Sequence, residues 1–193
     1  MQQKQGKLFL ISAPSGAGKT SLLEQAIVHL GSQHDLMRVV TYTSRKPRGT
    51  EKHGVDYHFV TENEFLQKLS KDFFVEHSTV YGTYYGFPCE VISNVIEGRN
   101  YIGIVDIAGA ASIKAVFDTP ILIGIRPSDT KMLEDRLVER GREAEEEIAF
   151  RLKLAQDELA LISSGFFHYV IINDDFDAAL ERLVAIIHRE ISA

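Results

Sequence analysis

The stretch "SAPSGAGKT", residues 12–20, constrains the fold of this chain more than any other feature of its sequence. It follows the apolar run "LFLIS" at 8–12 and precedes an amphipathic pattern from Thr20 to Leu30. A glycine-rich loop between a buried strand and a helix presents consecutive backbone N–H groups that, with the helix dipole, cradle a phosphate. The pattern therefore predicts a strand, a phosphate-binding loop and a helix that begins near Lys19.

The loop departs at one place from the pattern G-x-x-x-x-G-K-[ST], because Ala13 stands where the first glycine is expected. We expect the change to be tolerated, since Pro14 already sets the turn at the strand exit. Lys19 supplies a point charge between the β- and γ-phosphates, and the Thr20 hydroxyl is a candidate Mg²⁺ ligand. The predicted ATP-binding residues of the loop are Ala13, Pro14, Ser15, Gly16, Ala17, Gly18, Lys19, Thr20 and Ser21.

Three further apolar runs, at 101–107, 121–125 and 169–173, have the continuous character of strands that are buried on both faces. Helical patterns alternate with them, and the last one has Asp177 as its candidate N-cap. This alternation predicts an α/β fold in which a parallel sheet is flanked by helices. Residues 39–87 interrupt it with aromatic, β-forming segments that predict a small mixed sheet, and 127–157 interrupt it with charged helices.

The composition of the 193 residues is that of an ordinary globular protein, with 45% hydrophobic and 25% charged side chains. A formal net charge of −6 argues against nucleic acid or an anionic membrane as a partner. No stretch is long and apolar enough to predict a signal peptide or a membrane span. The single cysteine, Cys89, fits a reducing compartment, and we expect a cytoplasmic protein.

A phosphate loop alone is shared by GTPases, ATPases and small-molecule kinases. The guanine-reading Asn-Lys-x-Asp segment of GTPases does not occur in the sequence, and a motor ATPase needs a longer chain. A small kinase is the remaining class, so its acceptor site must be sought in the two insertions.

Arg45 and Arg48 flank Pro47 in the first insertion, and two guanidinium groups at this spacing can grip one phosphate monoester. Tyr57 and Tyr85 could add hydroxyl donors to that phosphate. The alternative is that both arginines are simply solvated loop residues.

Glu76 lies among apolar, β-forming residues in "FFVEH", which is an unusual place for a carboxylate. One interpretation is an ion pair with an arginine. The other is recognition of guanine, whose adjacent N1–H and N2–H₂ donors match the two carboxylate oxygens, whereas adenine would leave these groups unpaired.

Taken together, these segments resemble the guanylate kinase family over nearly the whole chain. The segments that carry the resemblance occur in the family's order: "SAPSGAGKT", "TSRKPRGTEKHGVDYHFV", "FFVEH", "YGTYYG", "RLVERG", "AFRLKLAQDEL" and "IINDD". The resemblance implies Mg²⁺-dependent transfer of the ATP γ-phosphoryl group to GMP, with dGMP as a second acceptor. It also implies a nucleotide-binding core (1–38, 88–126 and 158–193), a GMP-binding subdomain (39–87) and a lid (127–157).

The family's functional residues fall on matching positions of this chain. The resemblance implies that Arg45, Arg48, Tyr57 and Tyr85 bind the GMP phosphate and that Thr41 and Glu76 bind guanine. It implies that Asp106 lies near the GMP and holds Mg²⁺ through water, and that Asn173 lies beside the adenine. Lys19 and Arg45 are implied to be catalytic together with the arginines of the lid, Arg136, Arg140 and Arg151.

Three positions depart from the family's pattern. Gly49 comes one place early in "PRGTE", and Phe87 replaces a serine or threonine that helps to bind guanine. Ala108 in "DIAGAAS" replaces a second acid, in a segment that is about two residues shorter. Phe87 and Ala108 leave open a kinase for another phosphorylated acceptor such as a ribose bisphosphate. A protein-interaction module of the same fold is the other alternative. The intact "GAGKT" and the lid arginines argue against the module.

Overall fold

A computed structural model describes residues 4–80, 82–129, 131–133 and 145–193, of which 145–153 are described by their backbone alone. Its larger sheet has five parallel strands: β1 (Leu8–Ser12), β2 (Leu36–Arg38), β7 (Asn100–Ile104), β8 (Ile121–Arg126) and β9 (Tyr169–Ile172). They lie in the order β2-β7-β1-β8-β9. The α/β fold with a helix-flanked parallel sheet, predicted from the four apolar runs, is therefore confirmed.

Helices cover both faces of this sheet, as the continuous apolar runs require. They are α1 (Lys19–His34), α3 (Cys89–Ile96), α4 (Ile107–Val116), α5 (Glu145–Ile162) and α6 (Phe176–Ser192). Alternate residues of β1 point to opposite faces. Phe9 and Ile11 pack into a core with α1 and α6, and Leu8 and Leu10 pack into a second core with α3 and α4.

The smaller sheet has four strands: β3 (Thr41–Thr43), β4 (Tyr57–Phe59), β5 (Phe74–Val80) and β6 (Thr83–Pro88). They lie in the order β4-β3-β6-β5, and one helix, α2 (Glu62–Leu69), lies between β4 and β5 in the chain. The β3–β4 pair is parallel, and β6 is antiparallel to both β3 and β5. The mixed sheet predicted from the aromatic segments thus forms beside the larger sheet.

The capping residue of the last helix was predicted wrongly. The N-cap of α6 is Asp175, whose carboxylate accepts a hydrogen bond from the Ala178 backbone N–H, and Asp177 lies in the first turn. Both aspartates are suited to a helix N-terminus, one as a cap and one as a negative charge near the positive end of the dipole. Only Asn173 and Asp174 separate the end of β9 from the cap, so the helix begins at the earlier of the two aspartates.

Candidate active site

A cavity of about 410 Å³ lies between the phosphate loop and one face of the smaller sheet. Its walls come from the phosphate loop, from all four strands of the smaller sheet and the loop that carries Arg48, from the end of β7 and from α5. The lining residues are Ala13, Ser15, Lys19, Thr41, Arg48, Tyr57, Glu76, Ser78, Val80, Thr83, Tyr85, Gly86, Phe87, Ile104, Val105, Asp106, Leu154 and Glu158. One cavity therefore joins the predicted donor loop to most of the predicted acceptor residues.

The phosphate loop is held from beneath by the last strand of the sheet. Asn173, which follows β9 and is 3% exposed, donates from its side-chain amide to the Ala17 carbonyl over 2.7 Å. Gly18 ends the loop in the left-handed region (φ 84°) and caps α1 without a side-chain hydrogen bond. A Cβ on Gly18 would lie 2.5 Å from the Asn173 amide nitrogen, so only glycine fits this close approach.

Lys19, the first residue of α1, reaches back over the loop that precedes it. Its Nζ donates to the Ala13 carbonyl over 3.0 Å and to the Pro14 carbonyl over 3.4 Å. Ala13 is buried at the strand exit, so the methyl group that replaces the expected glycine packs into the core. The departure is thus accommodated by burial.

The acceptor arginines are organised by a carboxylate that was not singled out from the sequence. Glu51 accepts from Nη1 and Nη2 of Arg45 over 2.6 and 2.8 Å, and from the Arg48 backbone N–H over 2.7 Å. These hydrogen bonds with Arg45 are the main cause of the lowered pKa of Glu51 and of the raised pKa of Arg45. The sequence offered one signal, an arginine and a glutamate six residues apart in the same loop. Nothing in the neighbouring residues specifies that this loop folds back to bring Glu51 onto Arg45.

Arg45 is packed behind the cavity, whereas Arg48 lines it. The Arg45 guanidinium lies 5.0 Å from the Tyr57 ring centroid and 5.6 Å from that of Phe59. Its Nε is buried and has no hydrogen-bond partner in the described part of the chain. A buried cationic donor without a partner is costly, so this nitrogen marks a place where an anion would complete the hydrogen bonding.

Tyr57 and Tyr85 face each other beside these arginines, with ring centroids 6.2 Å apart. Both line the cavity, and burial raises the pKa of Tyr57, which keeps its hydroxyl a hydrogen-bond donor at neutral pH. Thr41 lines the same cavity from β3. The structure thus brings together the residues that were predicted to bind the acceptor.

Three carboxyl groups face the cavity close to one another. Burial, with the charge of Asp106, raises the pKa of Glu76 to about 7. Burial and Asp106 also raise the pKa of Glu158, against the opposing effect of Lys19. Asp106 itself caps α4 by accepting from the Gly109 backbone N–H over 2.6 Å. This end of the cavity therefore holds a concentration of negative potential.

Glu76 packs against the first turn of α4, where a Cβ on Gly109 would lie 3.3 Å from its Oε1. Phe87, paired with Glu76 across β5 and β6, is fully buried in the second core. Its ring therefore joins the smaller sheet to the larger one and presents no hydroxyl to the cavity. Ala108 is exposed one residue before Gly109 and likewise has no polar side chain.

Two more cavity residues, Ser78 and Glu158, were missed from the sequence. Ser78 could have been found from its spacing of two from Glu76, since alternate strand residues share a face. Glu158 gave no signal, because it stands in a charged helix where a solvated carboxylate is the default. Of the predicted lid arginines, Arg136 and Arg140 lie outside the described residues, as does the side chain of Arg151.

Two other kinds of feature do not occur among the described residues. These residues contain no group of three or more His, Cys, Asp or Glu side chains that could by themselves hold a metal ion. They also contain no helix with the length and apolar character needed to cross a membrane.

The chain is similar to known proteins over nearly its full length. The family model described as "Guanylate kinase" matches residues 5–190. The guanylate kinase of Nitrosospira multiformis is 42% identical over 186 residues, 96% of this chain and 86% of that protein. That of Escherichia coli K12 is 40% identical over 187 residues, 96% of this chain and 89% of that protein. A crystal structure of guanylate kinase from Anaplasma phagocytophilum matches with a TM-score of 0.77 at 28% identity, covering 100% of this chain and 90% of that one.

Proposed function

The chain belongs to the guanylate kinase family, and on that premise we propose that it transfers the γ-phosphoryl group of ATP to GMP, giving ADP and GDP. The observation that carries the proposal is the single cavity that joins Lys19 of the phosphate loop to Arg48 and Glu76 of the smaller sheet. Donor and acceptor phosphates bound in one cavity can be aligned for transfer, which is the main contribution of an enzyme to this reaction.

ATP binds on the loop side in this proposal. Backbone N–H groups from Ser15 to Ser21 and the N-terminus of α1 hold its phosphates, because a helix N-terminus with no side-chain cap favours an anion. Lys19 neutralises charge between the β- and γ-phosphates. The buried amide of Asn173 holds the loop in shape from below, next to the expected adenine site.

The phosphate of GMP binds on the sheet side. Arg48 and the hydroxyl groups of Tyr57 and Tyr85 reach it from the cavity wall, and the unpartnered Nε of Arg45 supports a contact from behind. Glu51 holds both arginine segments in place before the substrate arrives. This preorganisation reduces the entropy that is lost on binding. No general base is required, because the acceptor phosphate is already anionic near neutral pH.

Guanine binds between Thr41 and Glu76 in this proposal. The ionised Glu76 carboxylate accepts from N1–H and N2–H₂ of guanine. A pKa of about 7 means that binding of guanine must favour the ionised form, and two donated hydrogen bonds do so. Adenine has an acceptor at N1 and would be rejected.

The oxygen donors at the Asp106 end of the cavity fit a magnesium ion. Burial is the main cause of the raised pKa of Glu76, and the charge of Asp106 is the second cause. The charge of Asp106 also contributes to the raised pKa of Glu158. A divalent cation relieves such repulsion, and Mg²⁺ prefers oxygen ligands together with several waters. Thr20 is assigned as a direct ligand and Asp106 as a ligand through water. When bound, Mg²⁺ supplies charge neutralisation to the phosphoryl group in transfer.

Residues 127–157 are proposed as a lid that closes over the core (1–38, 88–126 and 158–193) and the GMP-binding subdomain (39–87). Closure would bring Arg136, Arg140 and Arg151 to the transferred group, as arginine fingers do in other phosphoryl transferases. Arg151→Ala should then lower kcat on the order of 10³-fold. Near-normal turnover by this variant would remove Arg151 from the mechanism. The cytoplasmic location expected from the sequence is part of the same proposal.

A panel of acceptors tests the assignment of substrate. ADP release is measured with ATP and Mg²⁺ and, in turn, GMP, dGMP, AMP, CMP and sugar phosphates, for the wild type and for Glu76→Gln. Wild-type preference for GMP and dGMP, with the ratio of GMP to AMP turnover reduced in the variant, is the expected result. Exposed Glu62, near the start of α2, offers a matched control as Glu62→Gln. Equal use of AMP and GMP by the wild type would overturn the guanine assignment.

The same panel separates the remaining candidate, a kinase for a different phosphorylated acceptor. The apolar side chains of Phe87 and Ala108 beside the proposed guanine site favour that candidate. A sugar bisphosphate used faster than GMP would establish it in place of the guanine assignment.

A further inference from the structure

The hydroxyl group of Ser78 is placed for a role that the proposed mechanism has not used. Ser78 follows Glu76 by two residues on β5, so both side chains project from the same face of the smaller sheet. Both line the cavity, and Ser78 is half-buried. The serine therefore lies beside the carboxylate on the surface that faces the acceptor.

The hydroxyl of Ser78, like those of Thr41 and Thr83 on the same cavity, has no hydrogen bond to the described part of the protein, whereas the nearby Thr43 and Ser44 do. Thr43 Oγ1 accepts from the Arg45 backbone N–H, and Ser44 Oγ accepts from the Tyr84 backbone N–H. Within the described segments, the Ser78 hydroxyl makes no hydrogen bond, although its backbone pairs with Tyr85. A half-buried hydroxyl that is not needed by the fold is available to a ligand.

The order of polar groups along guanine indicates which atom this hydroxyl would meet. N2–H₂ and N1–H are donors and suit Glu76, whereas the next group, O6, is an acceptor that a carboxylate cannot serve. Across the sheet from Glu76, Phe87 is buried and apolar, so that position offers no donor. The next residue of β5 on the same face is Ser78, about 7 Å further along the strand.

We propose that Ser78 is a specificity-determining residue whose hydroxyl donates a hydrogen bond to O6 of the acceptor base. This inference rests on the proposed use of GMP and deepens it. Glu76 then reads the two donors of the guanine edge and Ser78 reads its acceptor, which rejects bases that carry an amino group at position 6.

The first test compares GMP kinetics of the wild type, Ser78→Ala and Ser78→Thr. Loss of one net hydrogen bond should raise KM for GMP about fivefold in Ser78→Ala. Turnover and KM for ATP should not change, because the hydroxyl is on the acceptor side, and Ser78→Thr should retain most of the affinity. An unchanged KM for GMP in Ser78→Ala would overturn the inference.

The second test identifies the atom by direct binding without turnover. Titration calorimetry compares GMP with 6-thioguanosine 5′-monophosphate, which keeps N1–H, the amino group and the phosphate but has sulfur, a much weaker acceptor, in place of O6. Ser78→Ala should weaken GMP binding about fivefold and change binding of the analogue much less. Equal loss for both ligands would assign the hydroxyl to the phosphate, the ribose or the fold, and would overturn the inference.

Thr79→Ala is the matched control, since Thr79 carries a hydroxyl on the opposite face of the same strand and is exposed. It should leave GMP binding unchanged, and the melting temperatures of both alanine variants should match the wild type. Wild-type protein that neither binds nor phosphorylates GMP would overturn the proposed function and this inference together. GMP use by the wild type, with no loss in Ser78→Ala, would overturn the inference alone.

Discussion

The two sides of the cavity are built in different ways. The donor side is one contiguous loop, residues 12–20, whose proposed binding groups are mainly backbone N–H groups and whose shape is held by buried neighbours such as Asn173. The acceptor side is assembled from β3, β4, β5, β6, the loop that carries Arg48 and the residue that caps α4, and its proposed binding groups are side chains. The donor side can thus be found from a local pattern, whereas the acceptor side depends on strand register and on pairs such as Arg45–Glu51.

This difference has a consequence for substitution. A loop that binds through its backbone tolerates Ala13, whose small side chain is buried in the core. A sheet that binds through side chains changes its chemistry with each replacement, as Phe87 does by occupying the core without a hydroxyl. Substitutions on the acceptor side should therefore alter which nucleotide is used, and those on the donor side should alter whether transfer occurs.

The largest effect should come from Lys19→Met, which removes the cation of the donor side. Turnover should fall ~10²–10³-fold, because a preorganised charge at the transferred group is lost. Affinity for GMP, measured by calorimetry, should change by less than about twofold, because Lys19 is on the donor side. A twofold change corresponds to less free energy than one net hydrogen bond contributes. Lys71→Met, at an exposed lysine, serves as the control. A parallel loss of GMP affinity would contradict the separation of the two sides.

The next effect concerns the stability of the loop in Gly18→Ala. The alanine would be strained, because the backbone at this position is left-handed with φ 84°. Its Cβ would also lie 2.5 Å from the Asn173 amide nitrogen and would displace the side chain that supports the loop. The free energy of unfolding should fall by about 2–3 kcal/mol, measured by urea denaturation. Gly49→Ala, where φ is 56° and no atom lies within 4 Å, should cost only about 1 kcal/mol. Equal costs would show that Asn173 does not restrict the loop.

On the acceptor side, Glu51→Gln should raise KM for GMP on the order of tenfold, with little change in KM for ATP. The loss of one partner leaves the mostly buried Arg45 guanidinium uncompensated and free to move. Glu24→Gln is the matched control, because Glu24 pairs with Arg38 over 3.2 Å but its side chain is 49% exposed. Such exposed pairs contribute about 0–1 kcal/mol. Similar effects from the two variants would contradict the role given to Glu51.

The smallest effect should be on stability in Glu76→Gln, and it should depend on pH. Because the pKa of Glu76 is about 7 in the folded protein and 4.5 ordinarily, the folded state holds this proton more tightly than the unfolded state. Its contribution to stability is present below pH 4.5 and is lost as pH rises to about 7.

Urea denaturation at pH 5 and pH 8 tests this expectation. Because the carboxyl is partly open to the cavity, we expect the variant to be more stable than the wild type by only about 1 kcal/mol at pH 8. The difference should shrink at pH 5, where the wild-type carboxyl is protonated in the folded state. A difference that does not vary with pH would contradict the raised pKa. The gain in stability would accompany a loss of discrimination between GMP and AMP.

Much of the fold could be predicted because its signals are local. Four apolar runs correspond to β1, β7, β8 and β9, and the spacing of Leu22, Leu23, Ala26 and Leu30 matches the buried face of α1. The N-cap of α6 was predicted wrongly, since Asp175 and Asp177 differ in position by two residues and only the path of the chain after β9 selects between them.

The candidate site was predicted less completely than the fold. Thr41, Arg48, Tyr57, Glu76, Tyr85 and Asp106 were all expected at an acceptor site and all line the cavity. Glu51, Ser78 and Glu158 were not expected. Their roles come from a loop that folds back, from the pleat of β5 and from the approach of α5 to Lys19, and none of these is encoded by nearby residues alone.

The sequence by itself determined that a buried parallel strand leads into a phosphate loop and a helix, because hydrophobic periodicity and backbone chemistry act within a few residues. Only the tertiary structure decided that Asn173 supports that loop, that Phe87 enters the core and that Ser78 lines the cavity. The physical reason is that a side chain acquires its partners from strand register and helix packing, which bring together residues that are far apart in the chain.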